Sequence, residues 1–283
     1  MNNEAIEVSN GLKDIKIEMA RRCPMSAVHL KCPINVLKKE YDDSINVKAL
    51  FEFLKQVKEA ECKADLKLFL YSEASADCKL SYIIHYIREH LGMTNRIRFE
   101  TNGWGVDEKT LKMLFKIGLT KTIIVCYDKD TYKRFGDIQK IVRKDLDLEE
   151  SRLRVRYTPA EGGITCDTDS NKECPGYAHD TRLSYYDNLE GKVVGIDPNK
   201  FFCPRPKGMI CIQSNGNVVN CDREWKGKIK FGNIYEDSFE TILLNKKKFI
   251  DMIFNGKLAP DICAKRCPDG TRVVMGQFTR RER

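Results

Sequence analysis

"RIRFETNGWGVDEKTLKMLFKIGLTKTIIVCYD", residues 96–128, decides the fold. It opens on "RIRFETNG", where charged and apolar residues alternate as along a strand and "TNG" makes a turn. "DEKTLKMLFKIG" then has helical spacing, with Gly118 as its stop. "KTIIVCYD" is a strand rich in β-branched residues. Strands alternating with helices predict a parallel sheet of the α/β class.

The alternation continues on both sides. "KDIKIEMA" (13–20), "LKLFLYSE" (66–73) and "RLRVRYTP" (152–159) read as strands, the last closed by Pro159. "DDSINVKALFEFLKQVKEAE" (42–61) puts Val47, Leu50, Phe51, Leu54 and Val57 on one helical face, with Asp43 or Ser44 as its N-cap. "LSYIIHYIREHLG" (80–92) turns Ile83, Ile84, Ile87 and Leu91 inward and stops at Gly92. "DTYKRFGDIQKIVRKDL" (130–146) is amphipathic and helical. Five β units with four long connections suit a barrel or partial barrel, whose functional groups gather at the carboxyl ends of the strands. Those ends carry "CPMSAVHLKCPIN" (23–35), "YSEAS", "ETNG", "CYD" and "YTP".

Residues 160–200 lose periodicity and read as a long loop or linker. Residues 201–283 form a second unit with a hairpin turning at Asn215-Gly216, a helix near 238–254 and a cysteine-bearing tail. Asp237 and Glu240 have the spacing of a capping box for that helix.

The first twenty residues lack a basic start and an apolar stretch, and no apolar run reaches bilayer length; a cytoplasmic location without membrane association is expected. In that setting 12 cysteines point to metal or redox chemistry rather than disulfides. Cys62 and Cys78 are isolated and read as packing or surface thiols. The net charge of +8 includes Lys246, Lys247, Lys248 and the tail "RRER". Without interleaved aromatics this reads as a solvated surface; nucleic acid is the acidic partner such a charge would suit.

The strongest chemical signal is carboxyl-terminal. The hairpin in "CPRPKGMICIQSNGNVVNC" brings Cys203 towards Cys221, and "DICAKRCPDG" supplies Cys263 and Cys267. Four converging thiolates suit either a 4Fe–4S cluster or a structural zinc, and spacing does not separate the two. Cys211, on the first hairpin strand, reads as a packed residue.

Cys203, twelve residues, Gly216, four residues, Cys221, then "GNI" and a terminal cysteine pair resembles the SPASM-type auxiliary domain of radical S-adenosylmethionine (SAM) enzymes. "ETNG" closing a third strand after a "YSE" strand end follows the order of the same family. The resemblance implies a partial (β/α)6 TIM-like barrel over residues 1–200 and a small SPASM/twitch-like auxiliary domain over 201–283, with Cys203, Cys221, Cys263 and Cys267 holding one auxiliary 4Fe–4S cluster. It also implies a first cluster after strand one. That cluster has three thiolate ligands and an open iron that SAM chelates.

The loop departs from the family pattern. "VHLKCPIN" keeps the middle cysteine, Cys32, while Val28 and Asn35 stand at the outer positions. Cys23 is a displaced first ligand in this reading, and His29 is a candidate for the third, since imidazole ligates iron in some clusters. Cys166 or Cys174 folding over the rim is another source of a ligand. Ser72-Glu73-Ala74 replaces the family's "GEP", so Glu73 alone remains to hold the SAM amino group. Asn102 is retained, Cys126 aligns with a serine of the fourth strand, and Arg156 is a candidate for the SAM carboxylate.

Two functions follow. One is a divergent radical SAM enzyme that cleaves SAM and abstracts hydrogen from a peptide or protein, or from a nucleotide, with flavodoxin or ferredoxin as electron donor. The other is a non-catalytic binding or scaffold protein that keeps one 4Fe–4S or zinc site.

Overall fold

The computed structural model describes residues 1–25, 34, 44–158, 165–166, 173–174, 193–195, 203, 205–222, 224–256, 258–260 and 263; along 165–166, 173–174, 193–195 and 259–260 it describes the backbone alone. Helix α1 (Asn3–Gly11) precedes β1 (Asp14–Ile17). The alternating units follow as α2 (Val47–Glu59), β2 (Asp65–Lys67), α3 (Leu80–Glu89), β3 (Ile97–Thr101), α4 (Glu108–Lys116), β4 (Lys121–Cys126), α5 (Lys129–Asp145) and β5 (Leu153–Tyr157). Strands β1 to β5 lie side by side in chain order, each parallel to the next. This is the arc of a βα barrel.

Residues 160–200, expected as a loop, contain three short strands: β6 (Thr165–Cys166), β7 (Glu173–Cys174) and β8 (Val193–Gly195). Two- and three-residue strands leave no periodicity to read. β6 runs antiparallel to β5, with Cys166 opposite Tyr157, and β7 pairs outside it. Cys166 and Cys174 therefore sit beyond the β5 edge, five and six strands from β1.

The carboxyl-terminal segment joins the other edge. A helical turn at Arg205–Gly208 leads into β9 (Met209–Ile212), which pairs in parallel with β1 along its whole length. Strands β10 (Asn217–Val219) and β11 (Lys230–Asn233) add antiparallel pairs. Helix α6 (Phe239–Phe254) packs on α1 and β11, and β12 (Leu258–Pro260) pairs with β8. The sheet thus crosses the expected boundary at residue 200, and six parallel strands stand together, β9 being the sixth.

Turn chemistry is as expected at Gly118 (φ +109°) and Gly216 (φ +83°). A Cβ on Gly216 would come within 2.4 Å of Asn233 Oδ1, so only glycine fits the tip of the hairpin. Two caps differ from expectation. Asn46 caps α2 by accepting from Ala49 N, while Ser44 is taken up in a bridge to Ala20 and a contact with Asp77. Ser238 caps α6, and Asp237 accepts from Asn233 N instead.

Side-chain alternation gives the parallel strands two faces, although Asp65 and Ile123 are buried on the second. Ile15, Ile17, Leu66, Leu68, Ile97, Phe99, Ile124, Leu153 and Val155 are buried in the core beneath the helices. Ile124→Ala is expected to cost about 2–5 kcal/mol, the transfer and cavity cost of an emptied core site. The exposed Lys140→Ala is expected to stay within about 0.5 kcal/mol. Urea denaturation of both variants measures the difference.

Candidate functional site at the strand ends

The other face of the sheet is charged. A sheet of parallel strands is ordinarily covered on both faces. Here Lys16, Lys67, Arg98 and Lys121 are register partners on four neighbouring strands. Like charges placed side by side repel. Acids offset three of them: Lys16 contacts Asp222 at 2.6 Å, Lys67 contacts Asp14 at 2.7 Å and Arg98 contacts Asp65 at 3.3 Å. Burial lowers the Lys121 pKa, and Arg98, Arg154 and Arg96 lower it further.

At the carboxyl ends this face opens into a cavity of about 340 Å³ whose walls include Lys16, Lys67, Glu100, Cys23, Glu73 and Asn102. Glu73 ties the rim together. Its backbone N–H donates to Arg22 O at 2.9 Å, its Oε1 accepts from Ser75 N and Oγ, and its Oε2 accepts from Asn102 N at 2.7 Å. One residue thereby ties together the chain beyond β1, through its backbone, and beyond β2 and β3, through its carboxylate. Asn102 Oδ1 accepts from Trp104 N, and Asn102 Nδ2 donates to Cys23 Sγ at 3.6 Å. Three of the site residues expected from sequence, Cys23, Glu73 and Asn102, therefore meet at one cavity.

Two others do not meet there. Cys126 is fully buried on the opposite face from Val125, the β4 residue that lines the cavity. Burial pushes its thiol up to about 12, with Asp128 adding to the rise. Arg156 is the register partner of Val125, so it shares the cavity face one strand beyond the lining. His29 and Cys32 lie outside the described residues.

Periodicity alone gave no sign of the residues that complete the walls. Asp222 bonds both Lys16 and Arg205. A second cavity, about 540 Å³, shares Asn102 and Tyr127 with the first and is walled by Trp104, Asp107, Asp128 and Arg134. Asp107 and Asp128 are there because each caps a helix, accepting from Thr110 N and Thr131 N. The usable sequence signal was the charge in "DIKI", "RIRFE" and "RLRVRY" at positions a covered parallel strand would fill with apolar residues.

The expected auxiliary thiols fall on three described segments. Cys203 precedes the turn at Arg205–Gly208, Cys221 follows β10 and Cys263 follows β12; all are buried. Cys267 lies outside the described residues, and among the described residues no three His, Cys, Asp or Glu side chains group as a metal site. Cys211 and Cys62 are buried thiols, and Cys78 is exposed. Among the described residues no helix is long and apolar enough to cross a membrane.

Burial opposes ionisation of Asp222, but Lys16 and Arg205 outweigh it and hold the carboxyl far below the usual carboxylate range. A depressed acid stabilises the fold above its unfolded pKa, and the contribution is lost as pH falls below it. Asp222→Asn is therefore expected to cost about 2–3 kcal/mol at neutral pH. The gap in urea midpoint between variant and parent is expected to begin narrowing as pH falls below about 4 and to close only as pH approaches the much lower folded-state pKa.

Residues 203–268 match the SPASM family, an iron–sulfur cluster-binding domain. The structure of BtrN in complex with AdoMet and 2-DOIA superposes with a TM-score of 0.63 at 20% identity, covering 90% of this chain and 92% of that one. BtrN in an open conformation gives 0.59 at 17% identity, covering 91% and 92%. No curated protein matches the chain. The chain thus shares the fold of BtrN, and its carboxyl-terminal residues 203–268 match the SPASM iron–sulfur cluster-binding domain.

Proposed function

We propose that this chain is a radical SAM enzyme that binds SAM in the cavity at the ends of β1, β2 and β3. The carrying observation is the meeting of Cys23, Glu73 and Asn102 around about 340 Å³ of space. That volume lies within the range of small-molecule sites. The donor chemistry fits. Cys23 is a half-buried thiol facing the cavity, and Glu73 is a fixed carboxylate suited to an amino group. Cys32 and His29 of the same loop would complete the ligand set. When bound, a reduced 4Fe–4S cluster supplies the electron that splits SAM into methionine and a hydrogen-abstracting 5′-deoxyadenosyl radical.

The chain's own part is placement. Glu73 orients the SAM ammonium, and Asn102 holds Cys23 and the β3 turn against it. Lys16, Lys67, Arg98 and Lys121 give the neighbouring face a cationic register. Three of these cations are ion-paired and the cavity wall adds Glu73, Glu100 and Asp222, so the lining has mixed charge and suits a polar peptide or a nucleotide. An external one-electron donor such as flavodoxin or ferredoxin completes the system.

The scaffold reading is favoured by one observation: Val28 and Asn35 stand where the family has outer thiols. Anaerobic reconstitution followed by SAM and dithionite separates the two. The enzyme reading expects 5′-deoxyadenosine by chromatography, loss of that product in Cys32→Ala with iron kept at the carboxyl-terminal site, and SAM binding weakened about tenfold or more in Glu73→Gln. Iron at one site without nucleoside product supports the scaffold. Zinc without iron rejects the enzyme reading and leaves the scaffold in its zinc form.

A further inference from the structure

The cavity at the ends of β1, β2 and β3 holds one charge that has no counter-charge among the described residues. The charged residues of its wall are Lys16, Lys67, Glu73, Glu100 and Asp222. Lys16 pairs with Asp222, which also bonds Arg205, and Lys67 pairs with Asp14. Glu73 accepts from Ser75 Oγ and Asn102 N. Among the described residues the partly buried Glu100 side chain has neither a hydrogen bond nor an ion pair.

The strand pattern shows why. Glu100 lies on β3 two residues beyond Arg98, on the same face, and Arg98 is paired with Asp65. The register partner of Glu100 on β4 is the buried Ile123, and on β2 Phe69 stands two residues past Lys67. The cationic register thus stops one row short of the cavity, and Glu100 stands beside apolar neighbours. Its position is rigid, because β3 is paired on both edges and Phe99 and Thr101, to either side of it, are buried. Two residues farther on, about 6.6 Å along a strand, Asn102 donates to Cys23.

A partly buried carboxylate without a partner costs stability. Such a group is kept where a ligand supplies the partner. Acids outnumber bases in this wall, which favours a cation over a neutral hydroxyl. Phe69, Tyr71 and Tyr127 also line the space. A carboxylate beside aromatic rings is the complement of an ammonium, through a charge-assisted hydrogen bond and the pull of the ring faces.

We propose that Glu100 is a specificity-determining residue that receives a primary ammonium group of the substrate, one step along β3 from the place of SAM. Its part in turnover rests on the reading of this cavity as the SAM site. A lysine side chain and a small polyhydroxylated amine both carry the required group, whereas the phosphates of a nucleotide would be repelled.

The test uses the full chain, reconstituted without oxygen and held with excess SAM so that the ammonium place at Glu73 is taken. Titration calorimetry at pH 7 compares two matched pairs of probes: Nα-acetyl-lysine amide against Nα-acetyl-norleucine amide, and glucosamine against glucose. The parent is expected to bind the amine of at least one pair about tenfold or more tightly than its neutral counterpart. The pair that discriminates identifies the source of the ammonium. Glu100→Gln is expected to bind both members of that pair alike, and Glu100→Asp to keep part of the preference. The urea midpoint of Glu100→Gln is expected to equal or exceed the parent's. A parent that discriminates neither pair overturns the proposal. So does a preference that survives in Glu100→Gln, or one that is lost in Glu73→Gln alone. A Glu100→Gln chain that fails to refold, or melts at lower urea, shows that the carboxylate holds the fold and overturns it too. Formation of 5′-deoxyadenosine is read in the same samples. Product without amine preference keeps the SAM reading and removes the proposal. Preference through Glu100 without product removes the SAM reading and leaves the ammonium site to a binding protein.

Discussion

Strand β1 is paired in parallel on both edges, to β2 through Asp14↔Asp65 and to β9 through Asp14↔Met209. Four residues thereby fix the register of the barrel arc and of the carboxyl-terminal hairpin at once. Because side chains alternate along strands, a slip of one residue at β1 would turn Ile15 and Ile17 out of the core and bury Lys16. Everything at the rim inherits this register. The loop beyond β1 is pinned through Arg22 to Glu73, and Lys16 meets Asp222 just past β10. The SPASM region is therefore not an appendage; its hairpin continues the same sheet.

The second organising feature is the split between faces. Helices cover an apolar face in the ordinary α/β manner, while the other face keeps its charge through cross-strand ion pairs. Keeping that face polar leaves a wettable wall beside the cavity, where a charged cofactor and a polar substrate can share the space between strand ends. The Glu73 carboxylate illustrates the arrangement. It holds the rim through Ser75 and Asn102 and still borders the cavity.

Local signals carried much of the fold. The β-branched run of β4, the apolar face of α2 and the glycines at 118 and 216 each state their role within a few residues, and each is found in place. Legibility failed where a distant partner decides. Ser44 is a good cap by type, but it is spent on Ala20 and Asp77, so the helix begins at Asn46. Cys126 lies one residue along from a cavity position, and strand parity alone sends it into the core. Lys246 sits among lysines in sequence but on the buried stripe of α6, which only the packing of that helix reveals. At the site, Glu73 and Asn102 were legible because strand ends converge in any such barrel, whereas Asp222 arrives from the far end of the chain and has no local signature.

The pairing of β1 with β9 also bears on how the chain is made. Residue 14 waits for residue 209, so one side of the first strand stays bare through most of synthesis. An uncovered strand edge is a template for stray pairing, and contacts so distant in sequence form slowly. Truncation before β9 would leave that edge permanently open, so shortened forms of this protein would tend to self-associate through their amino-terminal strand.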